Sequence, residues 1–258
     1  RIIALEFERI AMHIADTAAL CTDIAYQLGQ VVNEALRTII INTTQLWCGN
    51  RFGKGLIRPG GSNYPLTGEI IEIILKNLKD VEGRYRQVTG RIFTLPSVLG
   101  RFEGTGKVTT MQASLVGAVG MAARSSGMYR DIRWSHPFSA YVDHLYEPVM
   151  LHKGDVWSRA MLRKLEVERS MAVIRELLKV FTIYDLRFTN SEIENPNYDL
   201  RFTESSLAIS LTEGWRGEIC HLALTDDSGK IIHYKVKDPS LHNWMALAMA
   251  VKNQEISD

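Results

Sequence analysis

Charged residues at helical spacing are the first sign of chemistry in this sequence. Arg159, Arg163, Glu166 and Ser170 follow one another at intervals of four, three and four residues, so they share one line along a helix. Apolar residues flank this line on both sides, which places the charges in the middle of the buried face. Buried charges are costly unless they are paired and hydrogen-bonded. We therefore predict an internal ionic network, in which Arg163 can pair with Glu166 and Arg159 needs a partner from another element.

A second polar line runs along an otherwise apolar N-terminal helix. Its members are Arg9, His13, Asp16, Asp23 and Gln27. The line is either a solvated strip or the lining of an internal polar site, because a helix this apolar is expected to be surrounded. If the line is internal, Asp16 and Asp23 are the favoured acidic partners of Arg159 or Arg163.

The third candidate is a β-hairpin with unusual ends. Glu218–Leu224 and Lys230–Val236 are rich in β-branched and aromatic residues and are joined through Asp-Asp-Ser-Gly, a pattern typical of a hairpin. Gly-Trp-Arg-Gly stands before the first strand, and Asp-Pro-Ser-Leu-His-Asn-Trp follows the second. A hairpin that served structure alone would need neither flank.

Standard motifs for metal, phosphate or hydrolytic chemistry are missing from the sequence. The seven histidines show no HExxH or comparable ligand spacing, and GxGxxG, P-loop and GxSxG motifs are absent. Cys21, Cys48 and Cys220 lie far apart and form no CxxC, which argues against a disulfide framework or a cysteine metal site within these residues. The 30 basic and 29 acidic residues nearly cancel, so we expect no nucleic-acid partner. No apolar run reaches the roughly 18–20 residues of a membrane span, so we expect no direct span.

Hydrophobic periodicity predicts a mainly α fold with a small β element near the C-terminal end. The helices are expected at roughly Arg1–Leu28, Val31–Trp47, Thr67–Val88, Asp155–Phe181 and Leu241–Asn253. Arg51–Gly61 is expected to form a loop or short hairpin, and Gly100–Met111 a turn leading into a short strand. Residues 112–152 should form short helices and loops, and Thr182–Glu204 a flexible connection.

The two ends of the sequence suggest how it is organised. Arg1 stands inside a helical run without a methionine or a cap, and Asp258 directly follows another helical run. We expect residues 1–258 to form a single domain and to be an internal fragment of a longer polypeptide. Residues 1–181 would be its helical core, and residues 205–258 its hairpin and final helix.

The flanks of the hairpin resemble the large subunit of nickel–iron hydrogenases. Glu213-Gly-Trp-Arg216-Gly217, then His221, Tyr234 and Asp238-Pro-Ser-Leu-His-Asn-Trp244, is similar to that family's Glu-x-x-Arg-Gly…His hairpin with its later Tyr and Pro-Ser/Thr-x-x-Asn stretch. The His-Asn-Trp version looks like the energy-converting, membrane-bound branch, which includes the formate hydrogenlyase type. It is also similar to the large peripheral-arm, quinone-site subunit of respiratory NADH–quinone oxidoreductase.

Other segments resemble the family in the same order along nearly the whole chain. They are Glu8–His13, Arg51–Gly61, Gly104–Gly106, Gly117–Gly120, Ala123–Gly127, Asp131–Arg133, His136–Phe138 and Gly154–Arg159. The resemblance implies the helical core of the hydrogenase large-subunit superfamily, with a small antiparallel β element around Leu207–Val236.

The resemblance also implies roles for single residues. Arg216 matches the arginine that lies over the nickel–iron centre of hydrogenases, where a fixed cation can orient substrate and assist proton movement. Asp23 matches the acidic residue beside the quinone headgroup in the quinone-reducing relatives, and His13 is the third candidate catalytic residue. The expected pocket residues are Glu213, His221, Pro239, Ser240, His242 and Asn243. The expected structural ionic network is Arg9, Asp16, Arg159, Arg163 and Glu166.

The sequence departs from the hydrogenases in its metal ligands. Hydrogenases hold nickel and iron with two CxxC pairs, and this sequence contains neither pair. We therefore expect no metal or other cofactor to be bound by residues 1–258 alone. A nickel–iron centre would require flanking CxxC pairs in the full-length protein.

The resemblance implies an oxidoreductase subunit. We expect the core of the large subunit of a membrane-associated hydrogenase or NADH–quinone oxidoreductase complex, electron-coupled to an iron–sulfur subunit and inactive as an isolated chain. Its partners would be that iron–sulfur small subunit, other subunits of the membrane-bound complex and a quinone. Its location would be cytoplasmic, at the inner face of the cell membrane. The alternative is a metal-free scaffold or quinone-pocket subunit without hydrogenase activity.

Overall fold

The computed structural model describes residues 1–58, 61–143, 146–185 and 204–255 and confirms the mainly helical fold with a small C-terminal sheet. The helices are α1 (Ile2–Asp23), α2 (Gln27–Cys48), α3 (Gly68–Ile92), α4 (Pro96–Phe102), α5 (Thr110–Leu115), α6 (Gly120–Arg124), α7 (Ile132–Ser135), α8 (Val156–Asp185) and α9 (Ser240–Ala250), with a 3-10 turn at Ser139–Tyr141. The strands are β1 (Ile57–Arg58), β2 (Gly61–Ser62), β3 (Leu207–Glu213), β4 (Glu218–Thr225) and β5 (Ile231–Lys237). Among the helices of these residues, none is both long enough and apolar enough to cross a membrane.

The described chain divides into two compact units. The first comprises residues 1–105 and 159–185, and the second comprises residues 106–158 and 204–255. Whether residues 1–258 behave as a single domain stays a prediction.

The first unit is built from consecutive helices that contact one another. α1 contacts α2, and α2 contacts α3. Phe7, Ile10 and Ile14 are buried on α1 because apolar residues recur there at intervals of three and four, which makes one apolar face. The side chain of Thr67 accepts the Ile70 N–H and begins α3 by satisfying one of the amides that a helix start leaves open.

The predicted ionic contact between α8 and α1 is confirmed at Asp16. Arg163 Nε donates to Asp16 Oδ2 at 3.1 Å. These side chains are 21% and 25% exposed, so the expectation of a deeply buried pair was wrong here. Glu166, on the same line of α8, is fully buried, whereas Asp23 is exposed. Because water reaches the Arg163–Asp16 pair, we expect it to contribute far less than a buried pair.

A fully buried contact lies nearer the N-terminus of α1. Ser170 Oγ donates to Glu6 Oε2 at 2.5 Å, and Arg9 Nε donates to Glu6 Oε1 at 3.3 Å. All three residues are at most 1% exposed. Arg9 and Ser170 belong to the predicted polar lines, but the acid that joins them, Glu6, was not among the predicted residues.

The second unit contains a three-stranded antiparallel sheet in the order β3-β4-β5. The predicted hairpin is β4 and β5, and β3 pairs with the other edge of β4. Asp226 Oδ1 accepts the N–H groups of Ser228 and Lys230, which closes the predicted Asp-Asp-Ser-Gly turn. α9 contacts α5 through a small core that includes Ala113 and Ala246.

Two local predictions were wrong, and a third lies mostly outside the described residues. Gly100–Met111 contains no strand, because α4 continues to Phe102 and turns at Gly104 and Gly106, both with positive φ, lead to α5. The first predicted helix ends at Asp23, where Ala25 adopts a φ of +56° before α2 begins. Thr182–Glu204 begins inside α8, which continues to Asp185, and most of its remainder lies outside the described residues.

We expect Glu6→Gln to lower the free energy of unfolding by roughly 3–5 kcal/mol, because buried Arg9 loses a compensating carboxylate. Asp16→Asn is the matched control, and it should cost about 1 kcal/mol or less because water reaches its partner Arg163. Urea unfolding followed by circular dichroism measures both. Equal losses in the two variants would contradict the assigned difference in burial.

Candidate functional site

The turn between β3 and β4 carries Arg216 at its tip. The Gly214 N–H donates to Gly217 O at 2.8 Å, and the Gly217 N–H donates to Gly214 O at 3.2 Å. These two bonds close a two-residue turn made of Trp215 and Arg216. Arg216 is exposed, and its guanidinium carbon lies 4.0 Å from the centre of the Trp215 ring. This cation–π contact steadies the exposed guanidinium at the end of the sheet.

A contact between two glycine backbones sets the position of the turn. Gly120, the first residue of α6, has a φ of +56°, and Gly217 has a φ of +143°. A Cβ on Gly120 would lie 2.2 Å from Gly217 Cα and 2.4 Å from the Arg216 carbonyl oxygen. No residue with a side chain therefore fits at Gly120 unless the turn moves.

Asn243 holds the segment that receives the turn. Its Oδ1 accepts the Val119 N–H at 3.0 Å, and its Nδ2 donates to Val119 O at 3.3 Å. Asn243 was predicted to be a pocket residue, and in the structure both ends of its amide bind the backbone next to Gly120. Its role in a substrate pocket stays a prediction, but its structural role is to clamp the start of α6.

The charge of Arg216 affects the pKa of a nearby acidic residue, Asp238. Asp238 Oδ1 accepts the Ser240 N–H at 2.8 Å, at the start of α9. Hydrogen bonds from Ser240 chiefly hold the pKa of Asp238 below its ordinary value, and the charge of Arg216 adds to this effect. Asp238 is therefore ionised at neutral pH and balances part of the charge of Arg216.

A buried ionic cluster, formed by Arg124, Asp131, Arg133 and Glu213, lies at the base of the turn. Arg133 Nε donates to Asp131 Oδ1 at 3.0 Å and Arg133 Nη2 to Asp131 Oδ2 at 2.6 Å, and Arg124 Nη1 lies 3.7 Å from Asp131 Oδ2. Glu213, the last residue of β3, accepts the Ile132 N–H through Oε2 at 3.0 Å. All four charged side chains belong to residues that are at most 2% exposed.

Glu213 is the member of this cluster whose charge changes near neutral pH. Burial, and to a lesser degree the charge of Asp131, raises the pKa of Glu213 from its ordinary value of 4.5 to about 7, while Arg124 and Arg133 oppose the increase. A buried carboxyl with such a pKa, three residues from an exposed arginine, is a marker of a functional site.

The other predicted catalytic residues lie in the first unit. His13 is fully buried in α1, and Asp23 is exposed at the last residue of the same helix. At a rise of about 1.5 Å per residue they are about 15 Å apart along the helix axis, too far apart to contact the same atom of a ligand. Arg216 belongs to the second unit, and a role shared by these residues stays a prediction.

The remaining predicted pocket residues occupy separate places in the second unit. His221 Nδ1 lies 2.5 Å from the Tyr234 hydroxyl, between β4 and β5. Pro239 is buried at the start of α9, and His242 is half-buried beside Gly117. Their roles as pocket residues stay predictions.

The sequence did not reveal the buried cluster as a unit. Ile132 and Glu213, which join its two parts, are 81 residues apart, and no spacing rule connects positions so distant. The nearest local signal was the Asp131-Ile-Arg133 run, because an aspartate before a helix can cap it. Asp131 Oδ1 indeed accepts the Arg133 N–H at 3.0 Å.

The donors in the described residues do not fit a nickel–iron centre. Cys48 Sγ donates to Thr44 O and Asn50 O, each at 3.3 Å. Burial raises the pKa of Cys21 to about 11, which keeps this side chain a neutral thiol, whereas a metal ligand must be a thiolate. Within the part of the chain that the structure describes, no three His, Cys, Asp or Glu side chains are grouped so that they could hold a metal ion.

We expect Gly120→Ala to displace the turn and to lower the free energy of unfolding by about 1–3 kcal/mol, because the new Cβ would overlap Gly217 Cα. Gly83→Ala is the matched control. No atom lies within 4 Å of a Cβ at this exposed helical position, so the change should stabilise the protein by roughly 0.5–1 kcal/mol. Thermal unfolding measures both changes, and a stabilised Gly120→Ala variant would disprove the close contact.

The free energy of unfolding should fall as the pH rises from about 4.5 to about 7, because the folded state keeps a proton on Glu213 that the unfolded state releases. Below this range both states carry the proton, and above it neither does. Glu213→Gln should flatten this decline, whereas Glu218→Gln, the residue opposite in register, should leave it unchanged. Urea unfolding across this pH range measures the three profiles, and parallel profiles for all three proteins would contradict the assignment.

Comparison with known proteins agrees with the fold. Residues 27–258 match the family described as "Respiratory-chain NADH dehydrogenase, 49 Kd subunit". The chain is 29% identical to the carbon monoxide-induced hydrogenase of Rhodospirillum rubrum, over all of this chain and 69% of that protein. It is 25% identical to NADH-quinone oxidoreductase subunit 4 of Thermus thermophilus, over all of this chain and 68% of that protein.

A solved structure shares the fold. The membrane-bound sulfane sulfur reductase, an archaeal respiratory membrane complex, contains a chain that matches with a TM-score of 0.80 at 19% identity, covering 98% of this chain and 72% of that one. The predicted relation to hydrogenase and NADH–quinone oxidoreductase subunits is confirmed, while the formate hydrogenlyase subtype and the nickel–iron centre stay predictions. The chain belongs to the family of the 49-kDa subunit of respiratory-chain NADH dehydrogenase.

Proposed function

We propose that this chain is the core of the large subunit of a membrane-associated oxidoreductase complex, in which Arg216 orients a quinone. The observation that carries the proposal is a single exposed guanidinium on a turn whose backbone is fixed from two sides. Gly120 meets the turn backbone to backbone, and Glu213 anchors its base to the Ile132 amide. Rigid support beneath one exposed polar group is what substrate positioning requires.

The chemistry of a guanidinium suits a quinone oxygen. Arg216 offers several N–H donors in a fixed plane and keeps its charge at any physiological pH. A quinone oxygen gains negative charge as the ring is reduced, so a preorganised cation stabilises the reduced form more than the oxidised form. The Trp215 ring stacks against the guanidinium, and the charge of Asp238 balances part of its positive charge.

The proposed setting is a complex of several subunits. An iron–sulfur subunit would deliver electrons to the quinone, and this chain would work on the cytoplasmic side, at the inner face of the cell membrane. Two observations support this setting: the family match, and a relative named as an NADH–quinone oxidoreductase subunit. The fold shared with a chain of a respiratory membrane complex is compatible with it.

The second candidate function is that of a hydrogenase large subunit. The 29% identity with the carbon monoxide-induced hydrogenase favours it. The match of residues 27–258 to the 49-kDa subunit family of respiratory-chain NADH dehydrogenase favours the quinone reading instead. The third reading is a scaffold subunit without catalysis. This reading does not explain why the exposed Arg216 is so rigidly supported.

The test is Arg216→Met in the full-length protein, introduced into the host gene and assayed in isolated membranes. We expect the reduction of decylubiquinone, a soluble short-chain quinone, to fall at least about tenfold, because a fixed hydrogen-bond donor to the developing negative charge is lost. Arg86→Met is the matched control, since Arg86 is a highly exposed arginine on α3 and should not affect the rate. Co-purification of the partner subunits shows that both variants assemble.

Three outcomes decide among the readings. A selective loss of quinone reduction by Arg216→Met supports the proposal. A loss confined to hydrogen oxidation, measured with a viologen dye, would favour the hydrogenase reading. An assembled Arg216→Met complex with unchanged rates in both assays would overturn the role of Arg216.

A further inference from the structure

A short, stiff path joins the Glu213 carboxyl to Arg216. Glu213 is the last residue of β3 and pairs with Glu218 across the sheet. The next residue, Gly214, is bonded in both directions to Gly217. Because Glu213 directly precedes this closed turn, the bond from the Ile132 N–H to its carboxyl holds the strand end from which Arg216 projects.

The Glu213 side chain lies among charged groups from two helices. Asp131 and Arg133 face it from α7 and its cap, and Arg124 faces it from α6. Glu218 stands opposite on the neighbouring strand. With Glu213 protonated, the two arginines and Asp131 leave one net positive charge, and ionisation of Glu213 brings the cluster to neutrality.

Neutrality does not make ionised Glu213 favourable at this site. Both guanidinium groups are shared with Asp131, Arg124 also donates to Val149 O at 3.3 Å, and Arg133 lies 4.0 Å from the Tyr146 ring centre. Burial removes the water that would stabilise a carboxylate, and Asp131 repels it. Burial and the charge of Asp131 oppose the attraction of the arginines and raise the pKa of Glu213 above its ordinary value.

We propose that Glu213 is the positioning residue for Arg216, and that it acts through a proton: the protonated carboxyl holds the turn against α6 and α7, and its ionisation releases the turn. This follows from thermodynamic linkage. If Glu213 binds its proton more tightly when the turn is held than when it is released, then loss of the proton shifts the equilibrium towards the released turn. If the released carboxyl has its ordinary pKa of 4.5, ionisation can shift this equilibrium by up to about 10²–10³-fold.

Release would take Arg216 away from the place that Gly120 defines. Reduction of a quinone to a quinol consumes two protons and two electrons. A turn that is held only while a nearby carboxyl is protonated would therefore couple substrate positioning to proton supply. This consequence rests on the proposed function, whereas the proton-dependent hold does not.

The Ile132 amide is a direct reporter of the hold, because its N–H donates to Glu213 Oε2. Hydrogen–deuterium exchange of this amide, measured by NMR on the 258-residue chain between about pH 6 and 8.5, follows release after correction for base catalysis. The Ser135 N–H, which donates to Asp131 O within α7, is the internal reference for opening of the helix itself. An interproton contact between the Gly120 and Gly217 α-protons reports the other side of the turn.

In the wild-type chain we expect the corrected exchange of Ile132 to rise about tenfold or more as the pH passes 7, with Ser135 unchanged. Glu213→Gln should keep Ile132 protected throughout, because the neutral amide still offers an oxygen to Ile132 and cannot ionise. Glu218→Gln should behave like the wild type. A pH-independent wild-type exchange, or the same rise in Glu213→Gln, would overturn the proposal and leave Glu213 a purely structural residue.

If the Glu213→Gln variant fails to fold, a second measurement on the wild-type chain tests the same proposal. In the wild-type chain, the side-chain carboxyl carbon of Glu213 should titrate near pH 7, and the Ile132 amide shift should follow with the same midpoint. A carboxyl midpoint below about pH 5.5 would sink the idea.

The link to Arg216 has its own test. Arg216→Met should preserve the pH dependence of Ile132 exchange, even where it abolishes quinone reduction in the full complex, so the hold and the proposed function can fail separately. In the assembled complex, the quinone KM should rise above pH 7 for the wild type and stay flat for Glu213→Gln. A pH-independent wild-type KM, together with pH-dependent exchange, would refute the positioning role.

Discussion

The approach of Gly217 to Gly120 is the constraint on which the candidate site depends. A Cβ on Gly120 would overlap Gly217, so the Arg216 turn can dock against α6 in this way only because Gly120 has no side chain. Two other contacts fix the segments that precede the two glycines. Asn243 fixes the peptide of Val119, directly before Gly120, and Glu213 fixes the end of β3 directly before the turn. The exposed guanidinium of Arg216 is therefore held in place by contacts that are themselves buried.

Each unit keeps charged groups in its interior, but the two arrangements differ. In the first unit, Glu6 receives hydrogen bonds from Arg9 and Ser170 and joins α1 to α8. In the second unit, two arginines and two acids crowd together at the base of the turn. Ion pairs like these are weak contributors to net stability, because desolvation offsets much of their attraction. Their value is better understood as geometric, since each charge is satisfied in only one arrangement of its neighbours.

The two carboxyls of the buried cluster have different surroundings. Asp131 receives the paired donors of Arg133 and part of the charge of Arg124, and it caps α7. Glu213 accepts the Ile132 N–H, while burial and the charge of Asp131 raise its pKa above the ordinary value.

The sequence by itself determined the elements and much of the chemistry they carry. Helical spacing predicted that Arg159 or Arg163 would meet an acid from α1, and Arg163 does so. The hairpin followed from β-branched strands around Asp-Asp-Ser-Gly. Only the tertiary structure decided which acids are buried, how Asn243 is used and why Gly120 is a glycine. The reason is physical. Periodicity and turn chemistry act between near neighbours in the chain, whereas Glu6 and Ser170 are 164 residues apart and meet only because whole helices pack together. No local pattern encodes such a contact. The local pattern also did not predict that the first helix would end before Ala25, which has a positive φ.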